Sequence, residues 1–154
     1  MTDIYVIADC SGGFSVLGKR DLQKLLLHTV FDVSSMEELS DFSLHAYLWG
    51  ETVAEYRDGD KLRAEGTGSL SALVDFISSL PERSRILFMS DGIFDDAYGL
   101  KRAIVRRRNM FLTVGVGADA DIDVLRDISS LNRTFEPAQL ITALKTLCYA
   151  GDAV

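Results

Sequence analysis

Residues 4–13, IYVIADCSGG, place a continuous apolar run directly before an aspartate, a cysteine, a serine and two glycines. Such a run is typical of a β-strand that is buried on both faces, as strands are in a parallel sheet. Residues 86–92, ILFMSDG, repeat the pattern, because a second apolar run is followed by serine, aspartate and glycine. The two segments therefore predict two buried strands, with Asp9 at the end of the first and Asp91 at the end of the second.

Apolar residues recur at helical spacing in five further segments. These segments are residues 19–33, 69–79, 97–108, 121–131 and a last helix that begins near Pro137. Extended patterns predict four more strands, at residues 42–49, 52–56, 110–116 and 133–135. The turn at Gly50-Glu51 makes the first two of these a hairpin, so the predicted order is β-α-β-β-α-β-α-β-α-β-α.

The alternation of strands and helices indicates an α/β fold, in which a doubly wound, mostly parallel six-stranded sheet has helices on both faces. The hairpin adds one antiparallel strand, which we expect at an edge of the sheet. In folds of this class, ligands bind beyond the carboxyl ends of the strands, where the strand order reverses. We expect residues 1–154 to form a single domain, because no linker, repeat or low-complexity tract interrupts the pattern.

The composition argues against several classes of protein. Hydrophobic residues make up 47% of the chain and charged residues 25%, which is unlike a disordered protein. The formal net charge of −7 disfavours binding to nucleic-acid phosphates. No apolar run approaches the length of a membrane span, and the N-terminus lacks the basic region of a signal peptide. Cys10 and Cys148 are expected to be reduced thiols, which predicts a cytoplasmic protein. The charge and the lack of a long apolar run predict that its partners include neither a membrane nor a nucleic acid.

Asp9 and Asp91 would share one rim of the sheet if their strands are neighbours. Two carboxylates at short distance repel each other unless a proton or a cation neutralises them. A hard divalent ion, bound through carboxylate, hydroxyl and water oxygens, would remove this repulsion, and Ser11 and Ser90 place hydroxyl groups beside the two aspartates. Each aspartate taken alone also suits an ordinary strand end or turn, and Thr67 also suits the start of a helix.

Four segments together resemble the von Willebrand factor A-type (vWA) domain family. Asp9-Cys10-Ser11-Gly12-Gly13 resembles the family's Asp-x-Ser-x-Ser signature, and residues 66–73, GTGSLSAL, resemble its Gly-Thr-x-Leu-x-x-Ala-Leu segment with one inserted residue. Residues 86–92 resemble its strand that ends in Ser/Thr-Asp-Gly, and residues 114–125 resemble its fifth strand and the following helix. The segments occur in the order found in the family, and the resemblance covers nearly the whole chain.

The resemblance implies a metal-ion-dependent adhesion site (MIDAS) of the kind found in that family. On the matching positions, Asp9 and Ser11 of the first loop, Thr67 of the second and Asp91 of the third would hold Mg²⁺, with Mn²⁺ or Ca²⁺ as alternatives. A protein partner would complete the coordination with an acidic residue, so the implied function is that of a non-enzymatic interaction module. Small bacterial cytosolic members, such as those of tellurite-resistance gene clusters, are the most similar in size.

The metal-site signature is degenerate at its third position. Gly13 stands where the family has serine, and it offers no side-chain oxygen. Two alternatives follow: a water molecule takes the vacant place, or the rim is a relic that no longer binds a metal.

An enzyme is the alternative interpretation of the same aspartates. In Mg²⁺-dependent phosphatases of the haloacid-dehalogenase class, an aspartate at the end of the first strand attacks phosphorus, and Asp9 holds the similar position here. Ser11 stands where that class needs a second acid, and 154 residues leave no room for a cap insertion. The hairpin and the Thr67 segment favour the interaction module, so we expect no catalytic residues. An inert scaffold that uses its helix faces is a third hypothesis.

Overall fold

The computed structural model describes residues 1–15, 18–62 and 66–151. Their strands are β1 (Thr2–Asp9), β2 (Phe42–Trp49), β3 (Val53–Tyr56), β4 (Arg85–Ser90), β5 (Met110–Gly115) and β6 (Thr134–Phe135). Their α-helices are α1 (Lys19–Val33), α2 (Leu70–Ser79), α3 (Ala97–Arg106), α4 (Ile122–Ile128) and α5 (Leu140–Tyr149). Short 3₁₀ turns at Gly12–Ser15, Glu37–Leu39 and Pro137–Gln139 precede α1, β2 and α5.

The six strands form one sheet in the order β3-β2-β1-β4-β5-β6. Only the β2–β3 hairpin is antiparallel among these strands, and β3 lies at the edge. This arrangement confirms the α/β fold class predicted from the sequence. The chain order reverses between β1 and β4, where Ala8 pairs with Met89 in parallel register. Asp9 and Ser90 follow these two residues, so both strand ends lie side by side at the carboxyl edge of the sheet.

Helices cover both faces of the sheet, and each face has its own hydrophobic cluster. Residues of α1 and α5 pack on one face with Ile4, Val6 and Ala8 of β1, while residues of α2, α3 and α4 pack on the other with Ile7. All six residues of β5 are buried. Burial on two faces explains why β1, β4 and β5 have continuous apolar sequences rather than alternating ones.

Two helices end earlier than the apolar pattern predicted. α4 stops at Ile128 instead of residue 131, because Ser130 bonds to β5 and leaves the helical path. The Ser130 amide donates to Phe111 O at 2.8 Å, and its hydroxyl accepts from Phe111 N at 2.8 Å. α3 ends at Arg106, since Arg108 has a positive φ of 53° that an α-helix cannot accommodate.

The last helix also begins later than the proline suggested. Pro137 opens a 3₁₀ turn, in which Glu136 and Gln139 form a capping box, and α5 begins only at Leu140. Proline suits the first position of such a turn, because its fixed φ fits and its missing N–H has no partner there.

Cys10 and Cys148 are buried free thiols. Burial raises the pKa of Cys10 to about 12 and that of Cys148 to about 11, so both thiols stay protonated at neutral pH. Across the described ranges, the helices are all too short or too polar to traverse a bilayer.

Candidate functional site

The carboxylate of Asp9 is held by a hydroxyl group of its own loop and by one at the end of β4. Its Oδ1 accepts hydrogen bonds from Ser11 N at 3.0 Å and Ser11 Oγ at 2.7 Å. Its Oδ2 accepts from Ser90 Oγ at 2.8 Å, which joins the end of β1 to the end of β4. Asp9 is only 1% exposed, so the surrounding bonds set its orientation.

The electrostatic state of Asp9 follows from its burial. Desolvation raises the pKa of Asp9 from its ordinary value to about 6, although the hydrogen bonds from Ser11 and Ser90 lower it in part. The neighbouring Asp91 carboxylate raises the pKa further by like-charge repulsion. The rim therefore carries a carboxylate that a nearby positive charge would stabilise.

Asp91 is the second buried carboxylate of the rim, with 5% exposure. Its Oδ1 accepts from Ile93 N at 2.9 Å, and its backbone oxygen accepts from Asp121 N at 2.7 Å. Its Oδ2 accepts from the ammonium of Lys19 at 2.9 Å. The loop after β4 is thus tied both to the start of α4 and to the start of α1.

The loop that carries Thr67 contacts the first loop directly. Gly12 N donates to Gly66 O at 2.7 Å, and a Cβ on Gly12 would lie 2.9 Å from that oxygen, so a side chain would not fit. Thr67 is exposed and lines the same cleft as Ser11. The cap of α2 is Ser69, whose hydroxyl accepts from Ala72 N at 3.2 Å, so Thr67 is not the capping residue.

A cleft of about 790 Å³ opens above these loops. Its lining includes Ser11, Gly13 and Thr67 together with Ile93 and Phe94, which follow Asp91 in the chain. Ile93 is 57% exposed although it is apolar, so it offers contact area to a ligand. The structure therefore brings all four predicted positions to one edge of the sheet, and their role as metal ligands stays a prediction.

Lys19 is a site residue that the sequence interpretation missed. It is 2% exposed, and its Nζ lies 2.9 Å from Asp91 Oδ2 and 2.7 Å from Asp119 Oδ1. The signal was present in α1, where the buried positions are residues 19, 23, 26, 27, 30 and 33. This is a helical stripe that faces the core, and Lys19 and Gln23 are the polar members at its beginning.

Gln23 of α1 forms hydrogen bonds with the ends of two strands. Its Nε2 donates to Asp9 O at 3.0 Å and to Met89 O at 2.9 Å. These two carbonyl groups belong to neighbouring strands, so one side chain bridges β1 and β4 at the point where the strand order reverses. Gln23 is fully buried, and its Oε1 has no hydrogen-bond partner within the described residues.

Lys19 stays charged in this environment. Burial alone lowers the pKa of Lys19, but the hydrogen bonds to Asp119 and Asp91 outweigh it, so the pKa lies above its ordinary value. The hydrogen bond from Lys19 also lowers the pKa of Asp119. The rim thus contains an internal ammonium that already neutralises part of its negative charge.

The oxygen atoms at the rim are of the kind that binds a hard divalent ion, although the rim has one side-chain oxygen fewer than the family signature. Carboxylates of Asp9 and Asp91 and hydroxyls of Ser11 and Thr67 are the oxygen ligands that Mg²⁺ prefers. At Gly13, a Cβ would lie 3.8 Å from Asp91 Oδ2, so a serine there would place a hydroxyl beside that carboxylate. Over the described ranges, no three His, Cys, Asp or Glu side chains group together as metal ligands, so hydroxyl groups would have to contribute.

Comparison with known proteins finds similar structures but no similar sequences. No protein-family model and no curated protein matches the sequence. Among solved structures, the manganese-loaded TRAP protein of Plasmodium vivax superposes with a TM-score of 0.73 over 96% of this chain, at 16% identity. A von Willebrand factor type A protein of Catenulispora acidiphila superposes with a TM-score of 0.62 over 92%, at 16% identity. The chain has the vWA fold.

A third structural neighbour has a zinc ion in its own metal site. Proximal thread matrix protein 1 of the mussel byssus, with a zinc-occupied MIDAS motif, superposes with a TM-score of 0.63 over 96% of this chain, at 12% identity. The chain spans 73% of the TRAP chain, 40% of the Catenulispora chain and 47% of the mussel chain. At these identities the likeness concerns the vWA fold, and the narrower resemblance to tellurite-resistance proteins stays a prediction.

Proposed function

We propose that this vWA-fold chain is a non-enzymatic interaction module that binds an acidic side chain of a partner protein in the cleft above the carboxyl edge. Asp9, Ser11, Thr67 and Asp91 would hold a divalent ion of the Mg²⁺ type there. One observation carries the proposal: three loops bring two buried carboxylates and two hydroxyl groups to the point where the strand order reverses.

Charge explains why such a module would use a cation. The chain has a formal net charge of −7, and Asp95, Asp96 and Asp121 line the cleft, so a partner carboxylate would be repelled by the protein alone. A bound divalent ion would supply the positive charge that attracts this carboxylate. Ile93 and Phe94 at the same cleft would add apolar contact. Two structural neighbours bind Mn²⁺ and Zn²⁺, which supports a divalent ion without selecting Mg²⁺.

The state of Asp9 supports a binding function over phosphoryl transfer. Both oxygens of Asp9 already accept hydrogen bonds and the residue is 1% exposed, so it cannot reach a phosphorus atom itself, whereas it could hold a hydrated divalent ion through a bridging water. Ser11, which donates to Asp9, cannot act as the general acid that a haloacid-dehalogenase-like phosphatase needs. We also propose a reducing compartment such as the cytoplasm, because Cys10 and Cys148 are unpaired.

The test is a titration of the apo protein with MnCl₂, followed through the fluorescence of Trp49. This is the only tryptophan of the chain; it lines the cleft and donates from Nε1 to Ser69 O at 2.8 Å. We expect saturable quenching by the paramagnetic ion. Thr67→Val should lower the affinity for the ion by about tenfold, because the variant lacks one ligand oxygen. Thr142→Val, on the exposed side of α5, is the matched control and should bind as the wild type does.

The partner function is tested with a capped peptide that contains one glutamate. We expect it to bind by calorimetry in the presence of MnCl₂ and not in EDTA, and the glutamine version of the peptide to bind in neither. Linear, unsaturable quenching of Trp49, with equal slopes in wild type and Thr67→Val, would contradict the metal site. Equal binding of both peptides would contradict recognition of a carboxylate.

A further inference from the structure

We propose that Lys19 is a built-in counter-cation, which competes with a divalent ion for Asp91 and thereby keeps the ion affinity of the cleft low. Lys19 would act as a residue that determines affinity and selectivity, not as a ligand. This inference rests on the proposed function, and it concerns this chain's own lysine.

The position of Lys19 is built into the fold. Lys19 is the first residue of α1 and follows Gly18, which adopts a left-handed φ of 71°. Its side chain passes over Gly117, where a Cβ would lie 2.7 Å from Lys19 Cε, so a side chain at this position would have to displace the lysine. The ammonium lies 5.6 Å from the ring centre of Phe14, which adds a favourable cation–π contact. These contacts enclose the side chain, so its charge is fixed at the rim.

The degenerate position of the signature and Lys19 meet at one atom, Oδ2 of Asp91. A serine at position 13 would have its Cβ 3.8 Å from this oxygen, and its hydroxyl group would lie nearby. Lys19 Nζ instead donates to the same oxygen at 2.9 Å. The ammonium of Lys19 therefore binds the same carboxylate that lies beside the position of the lost serine hydroxyl.

The charge balance at the rim explains the competition. Asp91 and Asp119 share the single ammonium of Lys19, at 2.9 Å and 2.7 Å. A divalent ion that uses Asp91 would sit near this ammonium and be repelled by it, because like charges at short distance repel and the lysine is shielded from bulk water. Binding the ion would thus require Lys19 to release Asp91 and keep only Asp119. We expect weak binding in the wild type and tighter binding when the ammonium is removed.

The experiment compares Lys19→Met with Lys101→Met in the Mn²⁺ titration of Trp49 fluorescence. Both substitutions remove one positive charge, but Lys101 of α3 pairs with the exposed Asp127 of α4 instead of with Asp91. We expect the quenching midpoint of Lys19→Met to fall by about tenfold or more, with that of Lys101→Met equal to wild type. In addition, MnCl₂ should raise the melting temperature of Lys19→Met more than that of wild type, because the ion replaces the lost charge.

A measurement on the wild type keeps the inference testable if Lys19→Met does not fold. Buried, ion-paired lysine ammonium groups give resolved ¹⁵N signals, so Lys19 should give one, and MgCl₂ should shift it. A shift of the Lys19 signal supports the inference, and the absence of any shift at a MgCl₂ concentration that saturates the cleft contradicts it. If wild type and Lys19→Met bind Mn²⁺ with the same midpoint, the inference is wrong and the proposed function stands. If neither shows saturable quenching, the proposed metal site fails with it.

Discussion

Ser90 Oγ donates a 2.8 Å hydrogen bond to Oδ2 of Asp9, and the same hydroxyl accepts from Gly92 N at 3.0 Å. A residue at the end of β4 therefore orients the carboxylate at the end of β1 and the backbone of its own loop. This hydroxyl and the Gln23 amide fix both strand ends before any ligand arrives. A site positioned in this way loses little freedom on binding, because its groups are already ordered.

The raised pKa of Asp9 predicts that the metal-free protein becomes less stable as the pH rises. Asp9 titrates near pH 6 in the folded state and near its ordinary value of 3.8 when unfolded, so the folded state binds the proton more tightly. In EDTA, its contribution to the free energy of unfolding should fall by about 2 kcal/mol between pH 4 and pH 7. Urea unfolding of wild type and Asp9→Asn across this range measures the effect.

Asp9→Asn supplies the reference in that experiment because it cannot titrate. The difference in free energy of unfolding, variant minus wild type, should increase with pH through the window from about 4 to about 6. Other carboxylates, including Asp119 with its lowered pKa, are common to both proteins and cancel. A difference that is independent of pH would show that Asp9 has an ordinary pKa.

Gly13→Ser should strengthen divalent-ion binding. Gly13 does not have a positive φ, and the nearest atom to an added Cβ is Asp91 Oδ2 at 3.8 Å, so serine fits without strain. The added hydroxyl supplies the oxygen that the signature lacks, and we expect the Mn²⁺ midpoint to fall by about tenfold. Gly12→Ser is the contrasting variant, because its Cβ would meet Gly66 O at 2.9 Å and should destabilise the fold. An unchanged midpoint in Gly13→Ser would place the ion away from Asp91.

Gly117→Ala should be more destabilising than Gly59→Ala. Both glycines have similar positive φ values, 98° and 92°, so both substitutions carry the same backbone cost of about 1 kcal/mol. Only at Gly117 would the new Cβ also meet Lys19, whereas nothing lies within 4 Å at Gly59. We expect an additional loss of about 1–3 kcal/mol in Gly117→Ala, measured by urea unfolding. Equal losses in both variants would mean that Lys19 moves aside without cost.

Gln23→Met should weaken the junction of β1 and β4 without changing the size of the core. The substitution removes the donor to Asp9 O and Met89 O and leaves two buried carbonyl groups with fewer hydrogen bonds. Each such loss costs about 1–3 kcal/mol, offset in part by removal of the unpartnered Gln23 Oε1. Hydrogen exchange of the β1 amides should become faster in the variant, while Gln139→Met, in an exposed turn, should leave them unchanged.

Much of the fold was predictable because its signals are local. A strand buried on both faces needs a run of apolar residues, and β1, β4 and β5 have such runs wherever they pair. The ends of helices were less predictable, as α4 shows. Ser130 leaves the helical path and forms hydrogen bonds with Phe111 of β5. Helix propensity describes only residues that are close in sequence, so it does not include this strand. Competition between a helix and a distant backbone group is invisible in a short window of sequence.

The amino-acid sequence determined that Asp9 and Asp91 each follow a buried strand and would share one edge if these strands were neighbours, and the parallel pairing of β1 with β4 meets that condition. The pairing of Lys19 with Asp91 does not follow from the sequence. These residues are 72 positions apart, and their contact depends on how α1 docks against the sheet and on the space that Gly117 leaves for the lysine. Strand patterns are set by near neighbours, whereas the charge balance of the rim is set by the packing of three separate elements around one carboxylate.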